Sequence, residues 1–228
     1  MDGSDDGRGD GTQVKRYYPV VLDLRSRACL IIGGGAVALR KARGLIAAGA
    51  DVTVVAPECL PMPDGVTIAL RPFVDADLDG VALAMAATDD RELNARVARL
   101  ARERGVWVNV ADDPEAGDAI LPAVARRGDL QIAVSTGGAS PALAQRLRER
   151  LEDEFGPEYA ELVALLGALR AAWEPRAIAA GVPPAARRAA WHAVLDLPLA
   201  GMLADGCRTE AEALAQAILE RVLADAGQ

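Results

Sequence analysis

Residues 28–56 read ACLIIGGGAVALRKARGLIAAGADVTVVA. The short apolar run Ala28 to Ile32 stops at Gly33, Gly34 and Gly35, as a buried strand does at a glycine turn. From Ala36 the period changes: Val37, Leu39, Leu45 and Ile46 fit one face of a helix, and Gly49 closes it. Val52 to Ala56 is a second strand, stopped by Pro57. Strand, helix and strand in this order form a βαβ unit, and its right-handed crossover makes the two strands parallel.

The alternation continues downstream. Val66 to Leu70 is a weaker strand, Val81 to Ala87 a strongly buried one, Val106 to Val110 the next and Leu130 to Val134 another. Between them, Leu93 to Arg104 is amphipathic, with Leu93, Val97 and Leu100 inward and Arg96, Arg99, Arg102 and Arg104 largely outward. Such alternation predicts a doubly wound α/β domain on a parallel sheet. After Ser140 the strands stop. Pro141 to Glu154 reads as a helix, and the Ala- and Leu-rich remainder from Tyr159 has helical spacing. Breaks are expected at Gly156-Pro157, Glu174-Pro175, Gly181 to Pro184 and Gly206. The predicted organisation is an acidic disordered tail over residues 1–16, an α/β domain over 17–113, a bridging segment over 114–150 and a helical domain over 151–228.

Composition narrows the class. The 228 residues are 51% hydrophobic and 25% charged, which is globular. The longest apolar run, Val81 to Ala87, is far below the roughly 20 residues of a membrane-spanning helix, so no membrane is expected. Net charge is −8, of which Met1 to Gln13 carry four Asp and one Arg. The acidic body and 4% aromatic content argue against nucleic acid, which needs cationic contacts and stacking platforms. Arg outnumbers Lys 23 to 2, which suits carboxylate recognition, although a GC-rich genome accounts for the same bias. Cys29, Cys59 and Cys207 follow no paired or metal-ligand spacing, and the start lacks the regions of a signal peptide. A reducing, cytoplasmic setting is expected.

The chemistry concentrates at strand ends. Gly33-Gly34-Gly35-Ala36-Val37-Ala38 satisfies G-x-G-x-x-A between a strand and a helix. Gly33 permits the tight turn, Gly35 lets backbone approach a pyrophosphate, Ala38 allows close helix–strand packing, and free helix N–H groups attract the anion. The acidic residue that usually ends the second strand is absent, since Ala56 and Pro57 stand there. Glu58 just beyond, or backbone near Pro57, is left to take the ribose; Glu58 reads equally as a solvated loop residue. NAD is favoured over NADP on this pattern.

Thr88-Asp89-Asp90 and Asn109-Val110-Ala111-Asp112-Asp113 follow two further strands, where ligands of open α/β sheets sit. Asp89 or Asp90 reads as a helix N-cap before Leu93. Asp112 is a candidate general base near the nicotinamide end of a bound cofactor, or a turn residue before Pro114. In Ser135-Thr136-Gly137-Gly138-Ala139-Ser140-Pro141, Ser140 is an N-cap, Pro141 a first helical residue and the glycines a second anion-binding corner. Arg126, Arg127 and Arg146 add positive charge, which suits a carboxylate-bearing substrate. His192, the sole histidine, reads as an ordinary helix residue.

The chain resembles the precorrin-2 dehydrogenase/sirohydrochlorin ferrochelatase family, the siroheme-synthase type of enzyme. The resemblance rests on Tyr18-Pro19-Val20-Val21-Leu22-Asp23-Leu24, IIGGGAVALRKARGLIAAGADVTVVAP, AATDD, VNVADDPE, LPAVARRGDLQIAVSTGGASPALAQRLRERLE, and a helical tail with Arg187-Arg188 and Trp191. It implies a Rossmann-like domain with a central dimerisation segment and a C-terminal helical domain. It implies NAD-dependent oxidation of precorrin-2 to sirohydrochlorin, with Fe2+ insertion to give siroheme in many members, and a homodimer. By position, Ala36, Val37, Pro57 and Glu58 fall where the family contacts NAD, with Gly33, Gly34, Gly35 and Thr88 beside them. Asp112 matches the aspartate needed for both activities. Asn109, Thr136, Gly137, Gly138, Ser140 and Arg146 are expected at the tetrapyrrole, and Thr136 stands where some relatives have a phosphorylatable serine.

Two departures bear on this. Ala119 stands where the family commonly has Phe, which weighs on the ferrochelatase half more than on the dehydrogenase half. The sequence also shows no methyltransferase region like that of the longer fused enzymes, so methylation is expected of another protein. No His or Cys cluster suggests a separate iron site. Two other readings use the same glycine turn: an NAD-dependent oxidoreductase of another substrate, and a non-enzymatic NAD-sensing module. A sensor has no need of Asp112, so Asp112→Ala separates it from an enzyme.

Overall fold

A computed structural model describes residues 15–226; most of the predicted acidic tail lies outside the described residues. Two compact units divide the chain. The first comprises residues up to Leu121 together with Gly137–Ala139, and the second comprises Pro122–Thr136 and everything from Ser140.

The first unit is built on a five-stranded, all-parallel sheet in the order β3-β2-β1-β4-β5. The strands are β1 (Ala28–Ile32), β2 (Asp51–Ala56), β3 (Thr67–Leu70), β4 (Leu83–Ala86) and β5 (Trp107–Val110). Helix α1 (Ala36–Ala47) joins β1 to β2, and α2 (Arg91–Glu103) joins β4 to β5. The two-residue period of the strands sorts side chains between two cores. Leu30, Ile32, Val55, Ala84, Ala86, Val108 and Val110 pack with Val97, Leu100 and Phe73 on the α2 face. Cys29, Ile31, Val52, Val54, Leu83 and Met85 pack with Ala38, Ala42 and Leu45 on the α1 face.

Helix α1 meets the sheet differently from its large-residue pattern. Ala38, Ala42 and Leu45 are its buried residues, while Val37 and Leu39 are only partly covered. Small side chains bring the helix axis close to the sheet, so the glycine turn lies flush against the strand ends. Helix α2 behaves as expected: Val97 and Leu100 are buried, and Asp90 caps it by accepting from Glu92 N (2.9 Å) and Leu93 N (3.0 Å).

The second unit holds an antiparallel pair, β6 (Ala123–Arg127) and β7 (Leu130–Val134), with α3 (Pro141–Glu154) packed on it. It also holds the helices α4 (Glu158–Ala179), α5 (Pro184–Leu195), α6 (Leu199–Ala204) and α7 (Arg208–Ala226). Leu165, Leu169, Trp173, Val194, Leu199 and Leu219 form their core. Within it, Trp173 Nε1 donates to Leu219 O at 2.8 Å.

Two sequence expectations are corrected. Leu130 to Val134 does not extend the parallel sheet: it pairs with Ala123–Arg127, a strand not anticipated, through the two-residue turn Gly128-Asp129. The expected break at Glu174-Pro175 does not occur either, because α4 runs through Pro175. Proline leaves the carbonyl four residues back without its donor. Here that is Ala171, an exposed residue whose carbonyl water can reach, while buried Trp173 and Ala177 hold the helix on either side.

Candidate functional site

Strand order reverses between β1 and β4, which makes their carboxyl ends the crevice where ligands of such sheets bind. Gly33, Gly34 and Gly35 occupy the end of β1. Gly33 has a left-handed φ of 117°, and a Cβ there would lie 2.3 Å from Ala87 O, so the turn is wedged against the end of β4. On its other side, a Cβ at Gly34 would lie 2.1 Å from Glu58 O, and Leu60 N donates to Gly34 O at 2.9 Å. The loop carrying Pro57 and Glu58 is thereby fixed beside the turn, with both residues exposed.

Gly35 differs from both. A Cβ there would meet no protein atom within 4 Å, so packing does not explain the glycine. It is the N-cap of α1, makes no side-chain cap, and is followed by a first turn with no acidic residue. Ala36 is exposed and Val37 half-buried at this helix start. Open space in front of uncapped N–H groups and a positive helix end fits a pyrophosphate, and hence a dinucleotide.

Thr88 adjoins Gly33, but its hydroxyl serves the protein. It donates to Asn94 Oδ1 at 2.8 Å and accepts from Asp90 N at 3.2 Å, while Asn94 Nδ2 donates to Thr88 O at 2.9 Å. Its hydroxyl is thereby engaged in closing the β4–α2 corner.

At the end of β5, Ala111 N donates to Ala86 O at 2.8 Å and prolongs the ladder by one step. Asp112 then leaves it with φ 63°, one of two positive-φ residues other than glycine among the described residues. A left-handed aspartate is uncommon, and such strain clusters at functional positions. Its side chain is exposed. Asn109, expected at the substrate, is instead 6% exposed: its Nδ2 donates to Ala119 O at 2.9 Å and its Oδ1 accepts from Lys41 Nζ at 2.5 Å. Lys41 was missed from sequence, since its place on α1 reads as a solvated helix position. The charge it holds inside the fold becomes visible only once β5 and α1 are adjacent.

Gly137 and Gly138 have left-handed φ values of 63° and 90°, and a Cβ on Gly138 would touch the Pro114 ring at 3.6 Å. In the second unit, Ser140 N donates to Thr136 Oγ1 at 3.0 Å, and Ser140 Oγ caps α3 by accepting from Leu143 N at 3.3 Å. Both hydroxyls therefore shape the start of α3. Arg146 is exposed on the same helix. Among the described residues no group of three His, Cys, Asp or Glu side chains converges as a metal site. No described helix is long and apolar enough to cross a membrane.

Comparison with known proteins agrees with this geometry. Residues 20–123 match the family described as "Putative NAD(P)-binding", and residues 127–154 match "Sirohaem biosynthesis protein central". A siroheme synthase of Chromobacterium violaceum is 42% identical over 218 residues, 92% of this chain and 44% of that protein. A siroheme synthase of Azotobacter vinelandii is 41% identical, over 89% of this chain and 44% of that protein. The chain thus spans less than half the length of the curated relatives it matches. Among solved structures, SirC, a precorrin-2 dehydrogenase, matches with a TM-score of 0.67 and 25% identity, over 90% of this chain and all of that one. The first unit is a Rossmann-like domain for a nicotinamide cofactor, and the chain is similar to siroheme synthases over less than half of their length and to SirC over the whole of that protein.

Proposed function

We propose that this chain oxidises precorrin-2 to sirohydrochlorin with NAD, on the route to siroheme. The observation that carries the reading is the match to SirC along that protein's whole length, because a glycine turn alone is shared by many chemistries. When bound, the nicotinamide supplies the hydride acceptor. The uncapped start of α1 holds the pyrophosphate, and Gly35 leaves room for it. Glu58, fixed beside Gly34, meets the ribose hydroxyls; its negative charge opposes a 2′-phosphate, which favours NAD over NADP. Asp112, exposed at the end of β5, accepts the proton that leaves as the hydride departs. In the first unit the corner at Gly137 and Gly138 meets substrate carboxylates, and Arg146, exposed in the second unit, is a further cation for them.

A homodimer and insertion of Fe2+ as a second substrate belong to the same reading. The pair β6–β7 packs against α3 and has no further strand partner among the described residues, so its edges are open to pairing with a second copy. In this reading residues 114–150 serve as the dimerisation segment and the chain works in the cytoplasm. The test is anaerobic: precorrin-2 made enzymatically, absorbance followed with NAD, then with ferrous iron. NAD-dependent sirohydrochlorin formation that is lost in Asp112→Ala upholds the proposal. A protein that binds NAD and leaves precorrin-2 unchanged refutes it in favour of a sensor.

A further inference from the structure

Lys41 is one of two lysines in the sequence, the other being Lys15, and it lies on α1 rather than in the glycine turn. Its head group is carried inside the first unit to Asn109, a buried side chain at the end of β5. The bond from Asn109 Nδ2 to Ala119 O decides which edge of that amide faces the lysine, so an acceptor is fixed for the ammonium. Partial burial of a charge is unfavourable unless polar partners offset it. One hydrogen bond to a neutral amide does so incompletely; a charge of opposite sign that acts on it is that of Asp112, which follows the end of β5 three residues after Asn109. Burial pushes the Lys41 ammonium down to about 8, the neighbouring Arg40 charge acts in the same direction, and the Asp112 carboxylate acts against both.

We infer that Lys41 is a positioning residue of the Asp112 site, its ammonium holding the turn after β5 through Asn109 and balancing the negative carboxylate that takes the substrate's proton. The inference rests on Asp112 being the base proposed above. Lys41 carries its charge below its folded value and loses it above, so turnover declines as pH rises through about 8.

Two measurements test this. In kinetics, Lys41→Gln lowers kcat about tenfold, a part of the 10²- to 10⁴-fold that a placed base contributes, with KM for NAD unchanged. It also abolishes the alkaline limb near 8. Lys41→Arg keeps the charge, restores part of kcat and moves the limb to higher pH. Independently of turnover, protein labelled at lysine Nζ gives two side-chain resonances to titrate by nuclear magnetic resonance. Asp112→Asn lowers the titration midpoint of Lys41. A Lys41 midpoint indifferent to Asp112→Asn overturns the inference, as does Lys41→Gln with a wild-type kcat and pH profile. If the wild type fails to oxidise precorrin-2, the proposed reaction falls by itself, and the resonance shift still decides whether Lys41 and Asp112 are coupled.

Discussion

Alanine placed at Gly34 and at Gly35 separates what the glycine turn does for the fold from what it does for a ligand. At Gly34 the new Cβ would stand 2.1 Å from Glu58 O and 2.7 Å from Cys59 Cα. Ordinary contact is about 3.5 Å, so the loop must retreat by more than about 1 Å. Both obstructing atoms are backbone, and no rotamer change relieves them. The bond from Leu60 N to Gly34 O, 2.9 Å, ties the same two segments together and is stretched by any retreat. Overpacking of this kind costs about 1–3 kcal/mol, and the strained hydrogen bond adds about 1 kcal/mol. At Gly35, with φ −85° and nothing within 4 Å, alanine meets no obstacle. The loss there is no more than about 1 kcal/mol, from a poorer N-cap. Its methyl group projects into the space assigned to the pyrophosphate, so NAD affinity drops about tenfold or more, or at least about 1.4 kcal/mol. Urea unfolding followed by circular dichroism, with calorimetric titration of NAD, reads both quantities. Gly34→Ala with wild-type stability would refute the close approach. Gly35→Ala with wild-type NAD affinity would remove the pyrophosphate from the turn.

Three further expectations follow from other parts of the molecule. Asp112→Gly releases a left-handed backbone that costs a non-glycine residue about 1–2 kcal/mol, so unfolding should show equal or greater stability while precorrin-2 oxidation is lost; a destabilised variant would mean that the strain is not there. Arg71 donates to Asp77 Oδ1 at 2.5 Å and to Oδ2 at 2.8 Å, and this hydrogen bonding holds the carboxyl below its usual range. That stability is present above the ordinary carboxyl pKa and lost as pH falls through the lowered folded value, so Asp77→Asn should flatten the acid limb of stability against pH, by only a small amount for so exposed an arginine. Trp173, 2% exposed and bonded to Leu219 O, should cost the helical unit about 3–5 kcal/mol on replacement by Ala, seen as a lowered denaturation midpoint in far-ultraviolet circular dichroism.

How much of this was legible in sequence depended on whether a feature is local. The β1–α1–β2 unit was readable because each part signals its own end: an apolar run, three glycines, then Gly49 and Pro57. The Asp90 and Ser140 caps were likewise readable, since a cap needs only its next three residues. Ala123–Arg127 escaped because its apolar run is short and ends in two arginines. The signal was nonetheless present in Gly128-Asp129, a two-residue turn of the kind that joins hairpins. Pro175 misled for the opposite reason: a local rule against proline in helices was outweighed by the burial of Trp173 and Ala177. Asn109 was expected at the substrate from its place after a strand, but its amide is held by Lys41 and Ala119, partners 68 and 10 residues away that no local pattern could reveal.

The strain at Asp112 shows why such a residue can be kept. A left-handed aspartate would relax to ordinary backbone if its turn were loose, and its carboxylate would swing with it. The turn is instead fixed at both ends and in the middle. Ala111 N is held by Ala86 O before it, and Asp118 N and Ala119 N both donate to Val108 O behind it, at 2.8 and 3.0 Å. Between these, Asp113 Oδ1 accepts from Ala116 N at 3.1 Å, and Lys15 Nζ donates to Gly117 O at 2.9 Å. None of these groups needs to touch a substrate. Together they leave Asp112 little backbone freedom, so the backbone position of the proposed base is set by the fold before any ligand arrives. The first unit therefore separates two requirements that conflict at one residue: Asp112 stays exposed, as the proposed proton transfer requires, and its neighbours supply the rigidity that exposure denies it.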